Sequence, residues 1–582
     1  MCKAYYTEWI TILADTNNNI IYNDLIKKKY IGDYALLTDD YNYIKSLKSE
    51  KIKVYNVYNE TFDCIKTYVE DVYANDDYDD YLIILGYNNK DFNIDDIKKQ
   101  YPHKKIVIYQ LEQLYGGCSN WWNDNANTKF VKDNTVHVKH QLRWCDEIWD
   151  YDVNNIDFLK EHNINKYIKF KPLLYSSKLN YQINDDIKYD IIFYGSLNEK
   201  RNKILLKLDK KYKLLILTND NNYKRYHLLF KNIIDGSEWG SDLFNNYISQ
   251  AKIVLNLHYY DCNIQEQARI FEAFNNNKIV VSEKSLTNYY GDLIYEFDND
   301  IDMYNIIDNI LQNELWSNSN ITERFKKQYS LMKIGASYNT YYGLEILEKS
   351  IESLYPIIDY INIIHQTEGA NETKEPFINK YIINDLVNKY QCNIKYVKYS
   401  DDKNFIINKR NIGLADIKEH NCDYIMPLDT DELYDYKELY NEVRYMAKND
   451  IDTLYCPIKT YYYNDKYWFI DDYYVPAVYK IDDRYFINNK TSVLCDPERK
   501  MVENKYKISD IYMNHYSYIL PLFTNKYKRK GRQSSNSRIY KNIYDIYEYM
   551  RKWNFVDDAL VFQNNKDSQI LQLELVKVNK KL

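Results

Sequence analysis

A cluster of carboxylates follows an apolar run in the second half of the chain. Residues 424–428 read Tyr-Ile-Met-Pro-Leu, and Asp429-Thr430-Asp431-Glu432 comes directly after them. A buried strand that ends in acids places them at the carboxyl edge of a sheet, where open α/β folds bind their ligands. Asp429 and Asp431 are two apart, so on an extended backbone they share a face. Their oxygens suit Mg²⁺ or Mn²⁺, which completes its shell with water and substrate phosphates.

Acidic residues alone carry little information here, because 84 of the 582 residues are Asp or Glu. Asp298-Asn299-Asp300-Ile301-Asp302 lacks the glycine and the distal glutamate of a calcium loop and is interpreted as a solvated turn. The tetrapeptide differs because an apolar strand precedes it. Its alternative interpretation is a capped turn that opens a helix at Asp435.

The sequence before Asp429 alternates between strand and helix patterns. Apolar runs predict strands, and apolar residues at helical spacing predict helices. This alternation implies a mostly parallel sheet with helices on both faces, in which the acids end the fourth strand. The predicted strands are 333–338, 360–364, 394–397 and 424–428, and the predicted helices are 343–354, 376–390 and 405–419.

Several short motifs accompany these elements in a characteristic order. Besides the acidic tetrapeptide they are Ser337-Tyr338-Asn339, Ser350-Ile351-Glu352-Ser353-Leu354, Lys409-Arg410-Asn411-Ile412-Gly413 and Asn514-His515-Tyr516-Ser517-Tyr518. With this order and spacing, residues of about 331 to 520 resemble the family-2-like glycosyltransferases of the GT-A fold.

The resemblance implies transfer of a sugar from a UDP- or GDP-sugar to a glycan or glycoprotein acceptor, with Mn²⁺ or Mg²⁺ as cofactor. Asp431 would ligate the metal, Asp429 would hold the metal or the ribose, and His515 would approach from the far side. The expected nucleotide pocket comprises Ser337, Tyr338, Asn339, Arg410 and Asn411. The family usually has acidic residues after the second strand to hold the base, whereas this chain has His365-Gln366-Thr367-Glu368, which leaves the nucleotide open.

Deprotonation of an acceptor hydroxyl requires a carboxylate within hydrogen-bond reach. Four acids downstream of the metal cluster are candidates: Asp471, Asp472, Asp496 and Glu498. Asp496-Pro497-Glu498-Arg499-Lys500 could instead be a turn. His515 could be a structural hydrogen-bonding residue, and Arg410 a solvated helix residue. The basic run at 526–532 could cover the diphosphate or bind nucleic acid, but a solvated surface loop is favoured.

The length of 582 residues predicts two to four domains. Further apolar strands at 190–196, 213–217, 253–257 and 279–282 form another doubly wound pattern upstream. Strands at 106–114 and 145–151 are interpreted as the last two of an amino-terminal half. The predicted domains are 1–180, 181–328, and 329–582 with a C-terminal helical extension.

Motifs of the second segment resemble glycosyltransferases of the GT-B type, in which two Rossmann-like halves hold the donor. The carrying residues are Phe193-Tyr194-Gly195-Ser196, Arg201, 251–258, Glu266, Arg269-Ile270-Phe271-Glu272-Ala273 and 280–283. The resemblance implies that Glu272 binds the ribose, that Arg269 approaches the diphosphate and that Gly195-Ser196 forms a phosphate-facing turn at a helix start. The family's E-x7-E spacing is not kept, because Phe274 stands eight after Glu266. A second glycosyltransferase and a degenerate acceptor-binding module both stay open.

Composition limits the ligands, the metal sites and the cellular compartment that we expect for these domains. The net charge of -7 and the pI of about 5.9 suggest no overall attraction to nucleic acid. Nine cysteines without a C-x2-C pair fit neither a disulfide framework nor a zinc site. No signal-peptide core and no run of 18 apolar residues is present, so no membrane span is expected. We expect a cytoplasmic protein, and a host-cytoplasmic one if the composition reflects AT-rich viral coding.

Two other functions remain open on the sequence. A nucleotidyltransferase would need a glycine-rich loop with a lysine after the first strand, and residues 337–343 lack the lysine. A non-catalytic carbohydrate-binding scaffold would keep its ligand affinity in Asp431→Ala.

Overall fold

The chain divides into two compact units, Met1–Leu331 (unit 1) and Met332–Leu582 (unit 2). Both are mixed α/β, and the predicted fold class is confirmed. The computed structural model describes residues 53–56, 63–73, 80–87, 93–117, 119–164, 167–179, 186–236, 241–317, 319–341, 344–367, 377–400, 402, 404–463, 467–487, 499–502, 504–519, 559–563, 570–574 and 576–577.

Unit 1 contains two parallel sheets. The strands of the first are β1 (Lys53–Asn56), β2 (Tyr81–Leu85), β3 (Lys105–Gln110), β4 (Glu147–Asp150) and β5 (Ile168–Phe170), paired in that order. Its helices are α1 (Asp63–Val72), α2 (Ile94–Gln100), α3 (Lys129–Trp144) and α4 (Val153–Glu161). The two strands predicted to end this half are β3 and β4, and the three-residue β5 follows them.

The second sheet of unit 1 is doubly wound. Its strands are β6 (Tyr189–Tyr194), β7 (Leu214–Thr218), β8 (Ile233–Asp235), β9 (Ala251–Asn256), β10 (Ile279–Glu283) and β11 (Ile294–Phe297), in the order β11-β10-β9-β6-β7-β8. The strand order reverses between β6 and β9, which is where such folds leave a ligand crevice. Its helices are α5 (Glu199–Lys211), α6 (Asp220–Tyr226), α7 (Asp242–Ser249), α8 (Gln267–Asn275), α9 (Asp300–Gln312) and α10 (Ile321–Tyr329).

One apolar core joins the two sheets of unit 1. The Tyr68 ring of α1 meets the Phe271 ring of α8 edge-on, with centroids 5.3 Å apart. Gln267 Nε2 donates to the carbonyl oxygen of Tyr151 at 2.7 Å, which ties α8 to the end of β4. The acids around Asn299 begin a helix here, since the Asn299 side chain caps α9.

Unit 2 begins with the parallel half of a large sheet. The strands of this half are β12 (Ile334–Thr340), β13 (Tyr360–Gln366), β14 (Asn393–Val397) and β15 (Tyr424–Asp429), in the order β14-β13-β12-β15. The helices are α11 (Leu344–Leu354), α12 (Phe377–Tyr390) and α13 (Phe405–Glu419). Helix α13 lies close to β12, because Gly413 leaves room for Ser337 Oγ and Gly335 leaves room for Ile417. The strand order reverses between β12 and β15.

A mixed half completes the sheet of unit 2. Its strands are β16 (Glu432–Leu433), β17 (Thr453–Tyr463), β18 (Tyr467–Lys480), β19 (Tyr506–Ile508) and β20 (Met513–Ile519), with helix α14 (Tyr436–Asn449) between β16 and β17. Strand β17 pairs antiparallel with β18 and parallel with β19 and β20. The order continues from β15 as β18-β17-β20-β16, so β20 returns to the acidic turn and His515 pairs with Glu432.

The end of the chain was predicted as a helical extension. The described residues there are strands: β21 (Ala559–Gln563), β22 (Ile570–Glu574) and β23 (Val576–Lys577). The rest of the predicted extension lies outside the described residues. Across the described part of the chain, we find no helix with the length and apolar character to cross a membrane.

Candidate functional site

The acidic turn of unit 2 lies where the strand order reverses. Asp429 is the last residue of β15, and Asn339 of β12 is its parallel partner across the reversal. Asp431 is anchored through its carbonyl oxygen, which accepts from the backbone N of Tyr516 at 2.9 Å. Helix α14 is capped by Asp435, whose carboxylate accepts from the backbone of its first turn. Asp429 and Asp431 are therefore not the cap of that helix.

Two arginines surround the first of these acids. Asp429 Oδ1 lies 3.2 Å from Arg410 Nη2, and Asp429 Oδ2 lies 2.5 Å from Arg499 Nη2. Arg499 also pairs with Glu432, with Nη1 2.8 Å from Oε2 and Nη2 on Oε1. Both arginine side chains are 4% exposed and that of Glu432 is 2% exposed, whereas that of Asp429 is 40% exposed. These four residues form a partly buried network of alternating charge, which we call the arginine–carboxylate network.

The network and its surroundings shift the pKa values of several side chains. Burial would raise the pKa of Asp429, but Arg499 and Arg410 lower it to about 2. Burial raises the pKa of Glu432 to about 7 against the attraction of Arg499. Burial also lowers the pKa of Lys409 to about 7. The Nζ of Lys409 donates a hydrogen bond to the carbonyl oxygen of Thr340 at 2.8 Å. Asp429 is thus anionic at neutral pH.

Unsatisfied polar atoms mark the same edge. Nε and Nη1 of Arg410 and both side-chain polar atoms of Asn339 are shielded from solvent and have no hydrogen-bond partner. Buried polar groups are nearly always paired in native proteins, because leaving one unpaired is costly. A guanidinium fork matches a phosphate or carbonyl oxygen, and an amide offers one donor and one acceptor side. Arg410 and Asn339 therefore have hydrogen-bonding capacity that the protein itself leaves unused.

The other predicted pocket residues form the walls of this region. Ser337 packs against Gly413 of α13, and Tyr338 is fully buried, with its hydroxyl accepting from Ser350 Oγ at 3.2 Å. The Asn411 amide pairs with the backbone of Phe486 in both directions, at 3.0 and 2.8 Å. These three side chains make their contacts with other residues of the chain.

The structure describes the backbone of only two of the four candidate bases. Asp471 and Asp472 lie in β18, and their side chains are outside the described part of the structure. Asp496, Glu498 and the basic run at 526–532 lie outside the described residues as well.

Asp431 and His515 are the pair that fits a divalent ion. His515 Nε2 lies 3.9 Å from Asp431 Oδ2, and Thr460 Oγ1 lies 3.3 Å from the other ring nitrogen. At bond lengths of about 2.1 Å, two ligands of one ion lie at most about 4.2 Å apart, so both atoms could hold the same ion. The described residues contain no group of three or more His, Cys, Asp or Glu side chains placed to hold a metal. An ion here would take the rest of its shell from water and a ligand phosphate.

At the corresponding edge of unit 1, two arginines are paired with a carboxylate within the chain. Glu266 lies 2.5 Å from Arg201 Nη2 and 2.7 Å from Arg269 Nη1. Arg201 also donates to the carbonyl oxygens of Ser196 and Leu257, and Arg269 to that of Tyr194 and to Asn256 Oδ1. Burial would raise the pKa of Glu266, but the two arginines lower it to about 2.

The predicted phosphate-facing turn of unit 1 is in contact with one of these arginines. Gly195 has a φ of 132°, a conformation that favours glycine. A Cβ added at Gly195 would lie 2.6 Å from Arg269 Nη2, and Ser196 Oγ accepts from Asn219 Nδ2 at 3.3 Å. Arg269 thus occupies the space directly beside the glycine.

Glu272 lies three residues after Arg269 in helix α8. It is fully buried, and its carboxylate lies beside the Cys64 thiol of α1. Burial raises its pKa to about 7. The ribose-binding role that the resemblance implies for Glu272 stays a prediction, and this surrounding is apolar.

Sequence reasoning missed the role of Arg499, which it treated as part of a turn. Arg499 stands 70 residues after Asp429 in the chain. No motif or spacing connects the two, because the contact depends on the path of the chain through β17 and β18. Glu432 could have been recognised as a site residue from the sequence, since it belongs to the acidic tetrapeptide.

Comparisons with known proteins found only weak likenesses to solved structures. No family model matches the chain, and no curated protein matches it. Among solved structures, TarM is 13% identical over 45% of this chain and 55% of its own, with a TM-score of 0.29. S. aureus TarS in complex with UDP-GlcNAc is 13% identical over 31% of this chain and 58% of that fragment, with a TM-score of 0.22. An α1,3-fucosyltransferase with GDP is 15% identical over 48% of this chain and 82% of its own, with a TM-score of 0.24. At these TM-scores the likeness carries no argument about function, which we build on the site.

Proposed function

We propose that the chain is a glycosyltransferase, and that unit 2 transfers a sugar from a UDP- or GDP-sugar to a hydroxyl of a glycan or glycoprotein. One observation carries the proposal. Where the strand order reverses, Arg410 and Asn339 together present four buried polar atoms without partners, next to Asp429. A nucleotide diphosphate supplies the negative charge and the mixed donor and acceptor groups that these atoms require.

Each side chain has a role in this proposal. Arg410 donates to an anionic or carbonyl oxygen of the donor, and the Asn339 amide pairs with the nucleotide. Asp431 and His515 hold Mn²⁺ or Mg²⁺. Such an ion, when bound, stabilises the negative charge that develops on the departing nucleoside diphosphate.

The reaction exchanges one bond at the anomeric carbon for another. The acceptor hydroxyl oxygen bonds to the anomeric carbon, and the bond from that carbon to the phosphate oxygen breaks. The electron pair leaves with the nucleoside diphosphate, and the hydroxyl proton goes to a carboxylate. Asp471, Asp472, Asp496 and Glu498 remain the candidates for that carboxylate.

Unit 1 is proposed to be an acceptor-binding or structural module rather than a second donor site. The support is that Arg201 and Arg269 use their hydrogen-bonding capacity on Glu266 and on carbonyl oxygens of the chain. Fold alone does not assign an activity to it.

The test is hydrolysis and transfer with purified full-length protein and UDP- or GDP-sugars. We expect Mn²⁺-dependent release of the nucleoside diphosphate that is lost in Asp431→Ala and with a chelator, because a metal ligand is removed. Asp483→Asn is the matched control, since Asp483 is a solvent-exposed acid of the same unit. Release that survives both Asp431→Ala and chelation would refute the proposal.

The same samples separate the two alternatives. A nucleotidyltransferase would release pyrophosphate from a nucleoside triphosphate and a sugar phosphate. A carbohydrate-binding scaffold would bind a glycan equally well before and after Asp431→Ala.

A further inference from the structure

Asp429 forms ion pairs with two arginines of the chain itself. Each of its two carboxylate oxygens contacts a different guanidinium, Oδ1 that of Arg410 and Oδ2 that of Arg499. With Glu432 included, the arginine–carboxylate network contains two cations and up to two anions. The charge of the two guanidinium groups is therefore largely offset within the protein.

A dication at Asp429 would disturb this balance. It would stand next to two guanidinium groups, and full ligation by Asp429 would displace Arg499. Arg499 also serves Glu432, whose side chain is only 2% exposed. Removing the partner of a buried charge is strongly unfavourable. Asp431 and His515 already lie beside each other, with Oδ2 and Nε2 3.9 Å apart.

Arg499 also determines the shape of the acidic turn. Its Nη1 lies 3.3 Å from the carbonyl oxygen of Pro427, before the turn, and 2.8 Å from Glu432 Oε2, after it. Glu432 Oε2 in turn accepts from the backbone N of Asp429 at 3.2 Å. Arg499 thus joins the two ends of the segment that presents Asp431.

From this geometry we infer that Arg499 is a positioning residue and a built-in counter-cation. It takes the place of a metal beside Asp429, so that Asp429 orients Arg410 toward the donor instead of ligating the ion. The divalent ion then binds together with the donor diphosphate, on Asp431 and His515. This inference rests on the proposed function, because it assigns parts of the same donor site.

The first experiment compares the two aspartates. Mn²⁺ binding to the full chain is measured by electron paramagnetic resonance, with and without UDP, for wild type, Asp429→Asn and Asp431→Asn. We expect UDP to increase Mn²⁺ retention about tenfold or more, and Asp431→Asn to lose it, because loss of a ligand typically costs at least about 10-fold to 100-fold. At saturating UDP, Asp429→Asn should keep Mn²⁺ retention, and in the presence of EDTA it should weaken UDP binding. Equal loss of Mn²⁺ in both variants would overturn the inference.

The second experiment changes the counter-cation. In Arg499→Met the carboxylates of Asp429 and Glu432 lose their shared cation, so Mn²⁺ without nucleotide should bind about tenfold more tightly. Arg499→Lys keeps the charge and should leave that affinity near wild type. Circular dichroism checks folding, and Arg499→Met combined with Glu432→Gln is used if the single variant unfolds. Unchanged Mn²⁺ affinity in a folded variant without Arg499 would contradict the role assigned to it.

Failure of the proposed function would give a different result from failure of the role assigned to Arg499. If UDP and GDP do not bind to the wild-type chain, the donor site itself is refuted. The Mn²⁺ affinities of Arg499→Met and Arg499→Lys without nucleotide still decide whether Arg499 competes with a metal for Asp429.

Discussion

The two units use charged residues differently at the same topological position. Each has a parallel sheet whose strand order reverses, between β6 and β9 in unit 1 and between β12 and β15 in unit 2. In unit 1, Arg201 and Arg269 are bound by Glu266 and by carbonyl oxygens. In unit 2, Arg410 keeps two nitrogens without a partner.

The difference shows why topology and charge together do not identify a site. A buried, fully paired arginine stabilises the fold and has little to offer a ligand. A buried arginine with unpaired nitrogens lowers stability, and a ligand that pairs them removes that cost. Unpaired guanidinium nitrogens are therefore the property that distinguishes Arg410 of unit 2 from Arg201 and Arg269 of unit 1.

The largest effect is expected from breaking the paired network of unit 1. Glu266→Ala leaves Arg201 and Arg269 buried without their carboxylate, and breaking such a pair costs about 3–5 kcal/mol. We expect much faster hydrogen–deuterium exchange in β6 and β9 of the full chain, measured by mass spectrometry. Exchange in unit 2 and its nucleotide affinity should not change.

The matched control for this change is Glu199→Ala. Glu199 forms an exposed pair with Lys203, one turn along helix α5. Exposed pairs add little to stability, so exchange should stay near wild type. Wild-type exchange in Glu266→Ala would show that the network does not support unit 1.

A smaller effect is expected from Arg410→Met, and it should fall on binding instead of folding. A hydrogen bond to a charged group contributes about 1.5–3 kcal/mol, so UDP or GDP affinity should fall by about 10-fold to 100-fold. Isothermal titration calorimetry measures the affinity. The counterpart Arg269→Met should destabilise unit 1 and leave nucleotide affinity unchanged. The comparison fails if Arg269→Met weakens nucleotide binding as strongly as Arg410→Met.

An effect no larger than that of Arg410→Met is expected at Glu272, and it depends on pH. Its pKa is about 7 in the folded chain, against an ordinary value of 4.5. A raised folded pKa stabilises fully below the unfolded value, and this contribution is lost as the pH rises through about 7. From about pH 5 to about pH 8, unit 1 of the wild type should lose up to about 3 kcal/mol that Glu272→Gln retains.

Hydrogen–deuterium exchange of α1 and α8 at both pH values measures this difference in stability between wild type and Glu272→Gln. Equal pH dependence in wild type and Glu272→Gln would show that Glu272 is not the group responsible. Loss of nucleotide binding in Glu272→Gln would support the ribose-binding role implied by the GT-B resemblance.

The main elements were predictable because the local pattern was strong. The helix predicted at 405–419 is α13 with the same bounds, and the strand predicted at 424–428 is β15 with one residue added. Apolar runs between polar turns define such elements without help from tertiary contacts. Strand β5, with three residues, was not predicted, since so short a run has no periodicity of its own.

The site was predictable in part. The position of Asp429 and Asp431 at the end of β15 was predicted from the apolar run before them, and the approach of His515 to Asp431 was implied by the family resemblance. The roles of the neighbours do not, because Tyr338 follows Ser337 in the chain but points its hydroxyl at Ser350 in the interior. Arg499 could not be predicted, since contacts between distant segments leave no local pattern.

The amino-acid sequence by itself determined the alternation of strands and helices and the delivery of acids to the end of a buried strand. These depend on side-chain polarity and on the periods of helix and strand, which are local properties. Only the tertiary structure decided which charges are paired with one another. Hydrogen bonds and ion pairs require atoms within a few ångströms, and that proximity arises only when distant segments fold against one another.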